Sequence, residues 1–592
     1  MRVAAIHFLF LAGLAIAPAY VRGQDDPNRP VLPDIAPRVV EIRGQLEISL
    51  PSLQRQPLMG FNPPPPVAPI PPDRRPFVED YKQESLDLPP SPLMPPEPPA
   101  VASLISRAPR NGLMEGSIGL YFSRSIRFRS EWPISRPIAI YSRLDYKGSD
   151  GHEPEVNPAV TASFDALEAL VGLQNVGRYA AFGAEVDGYL NSYRAFAASP
   201  ASASLKNDPP LRDGRGGGVS VWMRTQATSY VDFNARLRYG TSVHKTDALD
   251  GRDIGLEELF EREERVLAST ADLLIPIGSG RGITADVEFT GTGLDGDSAP
   301  GTIRTLDGAA GIRLSLARSL EIDASARFMT FAADPHRSIP GAQQVDGSGE
   351  ETYVSPDLSL TMYPANGVRL YVKNSPRAEH LTLSSLYRMS PFVTDQAVIH
   401  PTVYTLDARG GAHLMRGLFE ADLHAGYSRA PHFMFFERAT TSEALGYSRG
   451  FVTTEYGEAA ITYFGGDVSI NLPAGFNASA GVTVRDGLLE ESEDEIPYFG
   501  PIIGRGSLSY SFDGGRGFIQ ASTNYESARY VDRQRSRKIG DYFDLDLEMS
   551  YNFLTSLGAV IRLENISADY LERWEDYDQT PFVATAGVRV VW

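Results

Sequence analysis

From about residue 113 to the C-terminus, apolar and polar residues alternate one for one in segment after segment. In 541–553, Phe543, Leu545, Leu547, Met549, Tyr551 and Phe553 take every second position, and Asp544, Asp546, Glu548, Ser550 and Asn552 fill the gaps. The same code runs through 231–239, with Arg236 and Arg238 in the polar set, through 320–328, with Arg327, and through 419–427, with Asp422 and His424. A period of two places successive side chains on opposite faces of a β-strand, so each segment predicts a strand with one apolar and one charged face.

The breaks between these segments are of two kinds. Short turns fall at 317–320, 364–367, 472–475, 513–517 and 555–558. Long polar connections fall at 194–215, 244–260, 334–350, 376–400, 487–497 and 567–580. Glycine groups at 214–218 (GRGGG) and 278–282 (GSGRG) are assigned to loops or turns. Short turns at one end and long loops at the other is the asymmetry of a transmembrane barrel. The last strand, 582–592, presents Phe582, Ala584, Ala586, Val588, Val590 and Trp592 on one face and Thr585, Gly587 and Arg589 on the other. An unbroken apolar face ending in an interfacial Trp resembles the assembly signal of bacterial outer-membrane barrels, with Trp592, Val590, Val588, Ala586 and Phe582 as its residues. Counting strands back from Trp592 predicts an all-β, antiparallel, transmembrane outer-membrane β-barrel of about 20–22 strands. Single-chain bacterial barrels are even-numbered, which favours 22.

The N-terminal sixth is a different polymer. Arg2 followed by an apolar run at 6–16 and small residues reads as an export signal over 1–23, cleaved after Ala19 or Gly23. Residues 27–100 hold 21 of the 44 prolines. Proline fixes φ and donates no hydrogen bond, so 24–112 is expected to be a largely disordered periplasmic arm sampling polyproline II, ahead of a barrel over 113–592. One stretch of the arm, 39–50 (VVEIRGQLEISL), alternates; it is either a strand offered to another sheet edge or a chance apolar run.

Composition narrows the function. The balance is 55 basic against 74 acidic side chains, a net charge of −19, which argues against a nucleic-acid partner. There are no cysteines, hence no disulfide, thiolate metal site or cysteine nucleophile. The histidines outside the signal (His152, His244, His336, His380, His400, His413, His424, His432) show no metal-ligand spacing, and neither a nucleophile elbow nor a phosphate-binding loop occurs. No catalytic residue, cofactor or metal is therefore expected. The acidic run Glu490, Glu491, Glu493, Asp494 and Glu495 reads as a solvated loop, with a cation between lipopolysaccharide phosphates as the sharper alternative.

Several segments resemble the barrel of TonB-dependent outer-membrane receptors. The stretch 542–551, then Arg562-Leu563-Glu564-Asn565-Ile566, then 570–577 and the closing strand are similar to that family's last two hairpins. Leu386-Tyr387, Pro391-Phe392 and Ile399-His400-Pro401 resemble its long extracellular loop, with Thr402 where Glu is usual. The resemblance implies ligand uptake across the outer membrane of a Gram-negative-type bacterium. The family's plug and TonB-contacting box have no counterpart in the proline-rich arm, so partner proteins are expected. The implied partners are outer-membrane lipids, the barrel-assembly machinery acting on the last strand, and a periplasmic or envelope protein bound by the arm. The alternatives are a barrel that anchors the arm for an envelope complex, or a passive diffusion channel. A barrel of this width is not filled by its own side chains. Inward-folded loops, a partner or the arm must close it, and residues 85–112 are expected at the periplasmic mouth, with 27–80 mobile. The loop asymmetry makes a topological prediction: an epitope inserted at 487–497 is labelled on intact cells and one at 513–517 is not, whereas equal labelling at both would overturn this topology.

Overall fold

The computed structural model describes residues 111–592 except 136, 201–208, 227–229, 247–260, 279, 297–300, 318, 334–348, 395–396, 440–446 and 568–570. Twenty-two antiparallel strands follow one another around a closed barrel. They are β1 Gly112–Gly119, β2 Arg124–Ser135, β3 Ile138–Ser149, β4 Phe164–Val176, β5 Ala180–Arg194, β6 Leu211–Thr225, β7 Asp232–Thr246, β8 Glu261–Gly278, β9 Arg281–Gly296, β10 Gly301–Ala317 and β11 Leu320–Ala333. The second half comprises β12 Glu350–Ala365, β13 Val368–Asn374, β14 Leu406–Arg416, β15 Phe419–Arg438, β16 Val452–Leu472, β17 Phe476–Leu489, β18 Ile502–Phe512, β19 Gly517–Glu526, β20 Tyr542–Asn552, β21 Leu557–Glu564 and β22 Val583–Val591. The predicted class and strand number hold. The signal, the arm and the expected position of 85–110 lie outside the described residues.

The period-two code sorts the two faces as expected. Outward positions carry large apolar side chains left bare, such as Val354 at 70% exposure, Phe464, Val186 and Val588. Bare apolar surface all around a sheet is tolerated only against lipid. Near the short-turn end, Phe476, Tyr510, Phe512 and Tyr551 form a row of stacked outward rings, with 4.0 Å between the first two ring centres. Such a row is an interfacial aromatic girdle, and it sets the barrel in an outer membrane. The predicted short turns lie at this end, as in 366–367 and 473–475 between paired strands.

One assignment is corrected. The GRGGG group at 214–218 lies inside β6, not in a loop. Glycine is poor in a strand unless a neighbour needs the space, and here Gly214, Gly216 and Gly218 face the lumen beside Asn191, Tyr189 and Arg238; an added Cβ at Gly214 would sit 2.1 Å from Asn191 Oδ1. Phe582 falls one residue before β22 begins, so it borders the strand without belonging to it. Ala586, Val588 and Val590 face outward as expected, and Trp592 caps the seam, its carbonyl accepting from the Asn111 and Gly112 amides at 2.7 and 3.0 Å.

The barrel closes where β1 pairs with β22, from Leu113 opposite Val591 to Gly119 opposite Thr585. These two strands are short, and a charged cluster lies on their lumen face. Glu115, 1% exposed, accepts from Arg562 and, at 2.7 Å, from Arg589. Both arginines also reach Glu548, at 3.0 and 3.3 Å. Removing the carboxylate leaves Arg562 with Glu548, and Arg589 with Glu548 and Ser550, as their remaining partners. Glu115→Ala is expected to destabilise the barrel by about 3–5 kcal/mol, read as a lower temperature for loss of the heat-modifiable, folded band on gels. An unchanged transition would show the cluster to be dispensable for closure.

Candidate functional site

The longest connection, 375–405 between β13 and β14, folds over the mouth at the long-loop end. Its stem is a ribbon in which Arg377–Glu379 pairs with Thr402–Tyr404. Between them lies the helix α1, Leu383–Met389, whose cap is Thr382: the Thr382 side chain accepts from the Ser385 amide, and the Thr382 amide donates to Ser385 Oγ. Seven residues are too few to make a helix stable alone. Packing holds it, because Leu383, Leu386 and Tyr387 are buried.

The wall that receives the loop is charged. Glu264 on β8, 1% exposed, accepts from the Leu383 amide at 2.7 Å, from Ser242 Oγ and from Ser384. A carboxylate here also faces the positive end of the α1 dipole. Arg262, equally buried, donates to the Ala397 carbonyl at 3.1 Å and to the Tyr387 hydroxyl. Arg212 on β6 donates to the carbonyls of Pro391, at 2.9 Å, and Val393, and its guanidinium lies over the Tyr387 ring. Tyr189 bonds Ser384 Oγ at 2.9 Å, and the His244 ring packs against Tyr387, centres 4.5 Å apart. The lumen-facing glycines of β6 give this layer its depth: with no side chains there, Tyr189 and His244 lie close to the wall and carry Ser384 and Tyr387 of α1.

Other loops complete a roof. Phe392 stacks on Tyr577 at 3.4 Å between centres, with Phe196, Trp574 and Phe436 beside them. Leu294, Ile303, Val393, Ile399 and Val452 join the buried residues of α1 in one apolar cluster. His380 in the stem region bridges two wall threonines, Thr292 at 2.7 Å and Thr305 at 2.8 Å, and His152 meets Asp578 between two loops at 3.1 Å. Burial pushes the His380 pKa down to about 4, and burial also lowers that of His400. Arg537 ties the roof's rim to Asp576 and Glu572, and Arg533 ties it to Glu437.

Beneath the roof the lumen wall carries crossed ion pairs. Arg327 binds Asp286, Asp307 and Asp357 within 3.0 Å. Arg238 pairs with Asp187, and Arg236 with Glu185. His424, singled out in the sequence beside Asp422, bonds it at 3.1 Å in a network with Arg409 and Tyr371, so its partners are structural ones. A polar hollow of about 480 Å³ opens beside the seam, bordered by Arg127, Lys147, Glu168, Asp546 and Glu564. In the acidic run, Glu490 pairs with Arg429 and Glu495 with Arg535.

The structure thus gathers Leu386, Tyr387, Pro391, Phe392, Ile399 and His400 into the roof. The expected inward charges line the wall. The latch residues Arg212, Arg262 and Glu264 escaped the sequence reading because they sit at strand ends, where the alternation gives way to polar loops. The chain has no native thiol, so Leu386→Cys is a single reporter buried under the roof. An impermeant maleimide is expected to leave it unlabelled, and adding Glu264→Ala should raise the labelling rate about a hundredfold or more, from the ~3–5 kcal/mol of a broken buried charge contact. A histidine whose closed-state pKa is depressed stays neutral while the open state takes a proton, so closure is fully stable above about pH 6.5 and weakens as pH falls toward 4. Because maleimide attacks the thiolate, labelling of the reporter is divided at each pH by that of an exposed single-cysteine control, and the ratio should rise over that window.

No family model matches the sequence, and no curated protein does. Solved structures do match in three dimensions. The FrpB iron transporter from Neisseria meningitidis superposes with a TM-score of 0.62 at 8% identity, over 82% of each chain. The ferric-catecholate import receptor Fiu from E. coli gives 0.59 at 10%, also over 82% of each. The copper transporter OprC gives 0.61 at 10%, over 82% of this chain and 80% of its own. With the lipid-facing girdle and the closed sheet of twenty-two strands, these likenesses establish that the described residues have the barrel fold of the TonB-dependent outer-membrane receptors.

Proposed function

We propose that this protein is a gated uptake barrel of the outer membrane, admitting a ligand from outside when the roof releases. The observation that carries this reading is the latched loop 375–405. A passive diffusion channel works with an open mouth and gains nothing from burying two arginines and a glutamate to hold one shut. The barrels of similar fold named above are a transporter of iron, an import receptor and a transporter of copper, which supports a transport role.

In this reading residues 1–23 export the chain, and 24–112 form a periplasmic arm whose part at 85–112 closes the inner mouth, alone or with a partner protein. Ala586, Val588, Val590 and Trp592, bordered by Phe582, are the handle offered to the barrel-assembly machinery. The concentration of 21 of 44 prolines in 27–100 favours a second role for the arm, as a semi-rigid strap that recruits an envelope partner.

Conductance in planar bilayers tests the gate. The full chain is expected to conduct little. Replacing 381–399 by a short Gly-Ser linker and deleting 24–108 together should open a large conductance, whereas either change alone should leave it small, because the other mouth stays closed. A wide-open full chain would establish the passive channel instead. A double variant that stays closed would end the uptake reading.

A further inference from the structure

His400 in the roof loop and His432 on β15 are thirty-two positions apart in sequence, yet their ring centres lie 5.1 Å apart at an interplanar angle of 56°. Each ring has one nitrogen committed. His400 Nδ1 is 2.9 Å from the Pro401 carbonyl, which can only accept, so Nδ1 carries the proton and Nε2 the lone pair. That Nε2 is buried in a residue 3% exposed and has no hydrogen-bond partner. His432 Nε2 is 2.9 Å from Glu351 Oε2, so the proton stays on Nε2 and the lone pair of the neutral ring goes to Nδ1. Phe331 packs edge-on against both rings, and the Tyr456 hydroxyl accepts from the His400 amide at 2.9 Å.

A carbonyl and a carboxylate each holding one nitrogen of two neighbouring imidazoles is the kind of outer shell that orients histidines toward a metal. The spacing agrees. With metal–nitrogen bonds of about 2.0–2.1 Å, each ring centre stands about 3.2 Å from the ion, and the two centres are then separated by about 5 Å at a tetrahedral angle and about 4.5 Å at the cis angle of a tetragonal copper site. No group of three His, Cys, Asp or Glu side chains converges as a ligand set among the described residues, so the site is a two-imidazole one with its remaining positions taken by water or a ligand. We propose that His400 and His432 bind a divalent late transition metal, stapling the roof loop to β15. Imidazole donors favour copper, nickel and zinc, with copper(II) held tightest.

The probe is copper(II), titrated at pH 7.5 into the full chain in detergent after chelator treatment and read by electron paramagnetic resonance. One equivalent should show hyperfine coupling to two imidazole nitrogens. His400→Asn and His432→Asn should each weaken binding at least tenfold, and Glu351→Gln about ten- to a hundredfold through the lost outer-shell bond. Glutamine at the same position serves where an asparagine variant fails to give the heat-modifiable band. A spectrum without imidazole coupling, or a His400/His432 double variant that binds as the unaltered protein does, overturns the proposal. Neither outcome depends on whether the barrel conducts.

Discussion

Everything in this molecule hangs on closing the sheet between β1 and β22. In hydrocarbon no water satisfies an open strand edge, so each backbone amide must find its partner within the wall. The seam does this with strands of 8 and 9 residues, where its neighbours across the barrel run to 20 and 21. Short strands supply few hydrogen bonds, and the lumen face adds what the backbone lacks: Glu115 held between Arg562 and Arg589, with Glu548 behind them. The Trp592 carbonyl then pins the first residues of β1, and its ring occupies the space above Gly112 that any side chain would fill.

Closure with twenty-two strands has a cost, because a cylinder that wide cannot be packed by its own side chains. The wall answers with charge. Arginine and carboxylate rows face one another from strand to strand and keep the lumen wet. The mouth is answered differently, by an apolar roof in which loop residues pack on one another and on strand ends, Phe392 on Tyr577 and Leu386 in one cluster with Val393 and with Ile303 of β10. The glycines of β6 belong to that answer. They weaken a strand locally and make room for Tyr189 and His244, which hold Ser384 and Tyr387 of the short helix.

The roof's fastening is polar where its body is apolar, and that choice has a physical consequence. Apolar packing loosens gradually as area is lost. Buried charges do not: Arg212, Arg262 and Glu264 are well satisfied with the loop in place and expensive without it. Such a contact makes the roof a two-state element, either latched or released into water, which is what a gate requires. Neutral buried histidines at the same interface, His380 above all, add sensitivity to acid. The His400–His432 pair ties the other side of the loop to β15.

Much of this was legible in one dimension. The alternation of Phe543, Leu545 and Leu547 with Asp544, Asp546 and Glu548 determines strand, face and environment together, because a sheet in lipid reports its two sides directly in its sequence. The same logic gave the inward Arg236, Arg238 and Arg327 and the outward Val588 and Val590. Where the code is local it was reliable, and where glycine fell within a strand, at 214–218, it misled, because only the neighbouring Tyr189, Asn191 and Arg238 explain the missing side chains. The partners of each charge, the burial of Arg262 and Glu264, the inward fold of 375–405 and the meeting of His400 with His432 were decided in three dimensions alone. A strand's sequence specifies which way its side chains point, but what they meet depends on residues tens or hundreds of positions away, brought near only when the barrel closes.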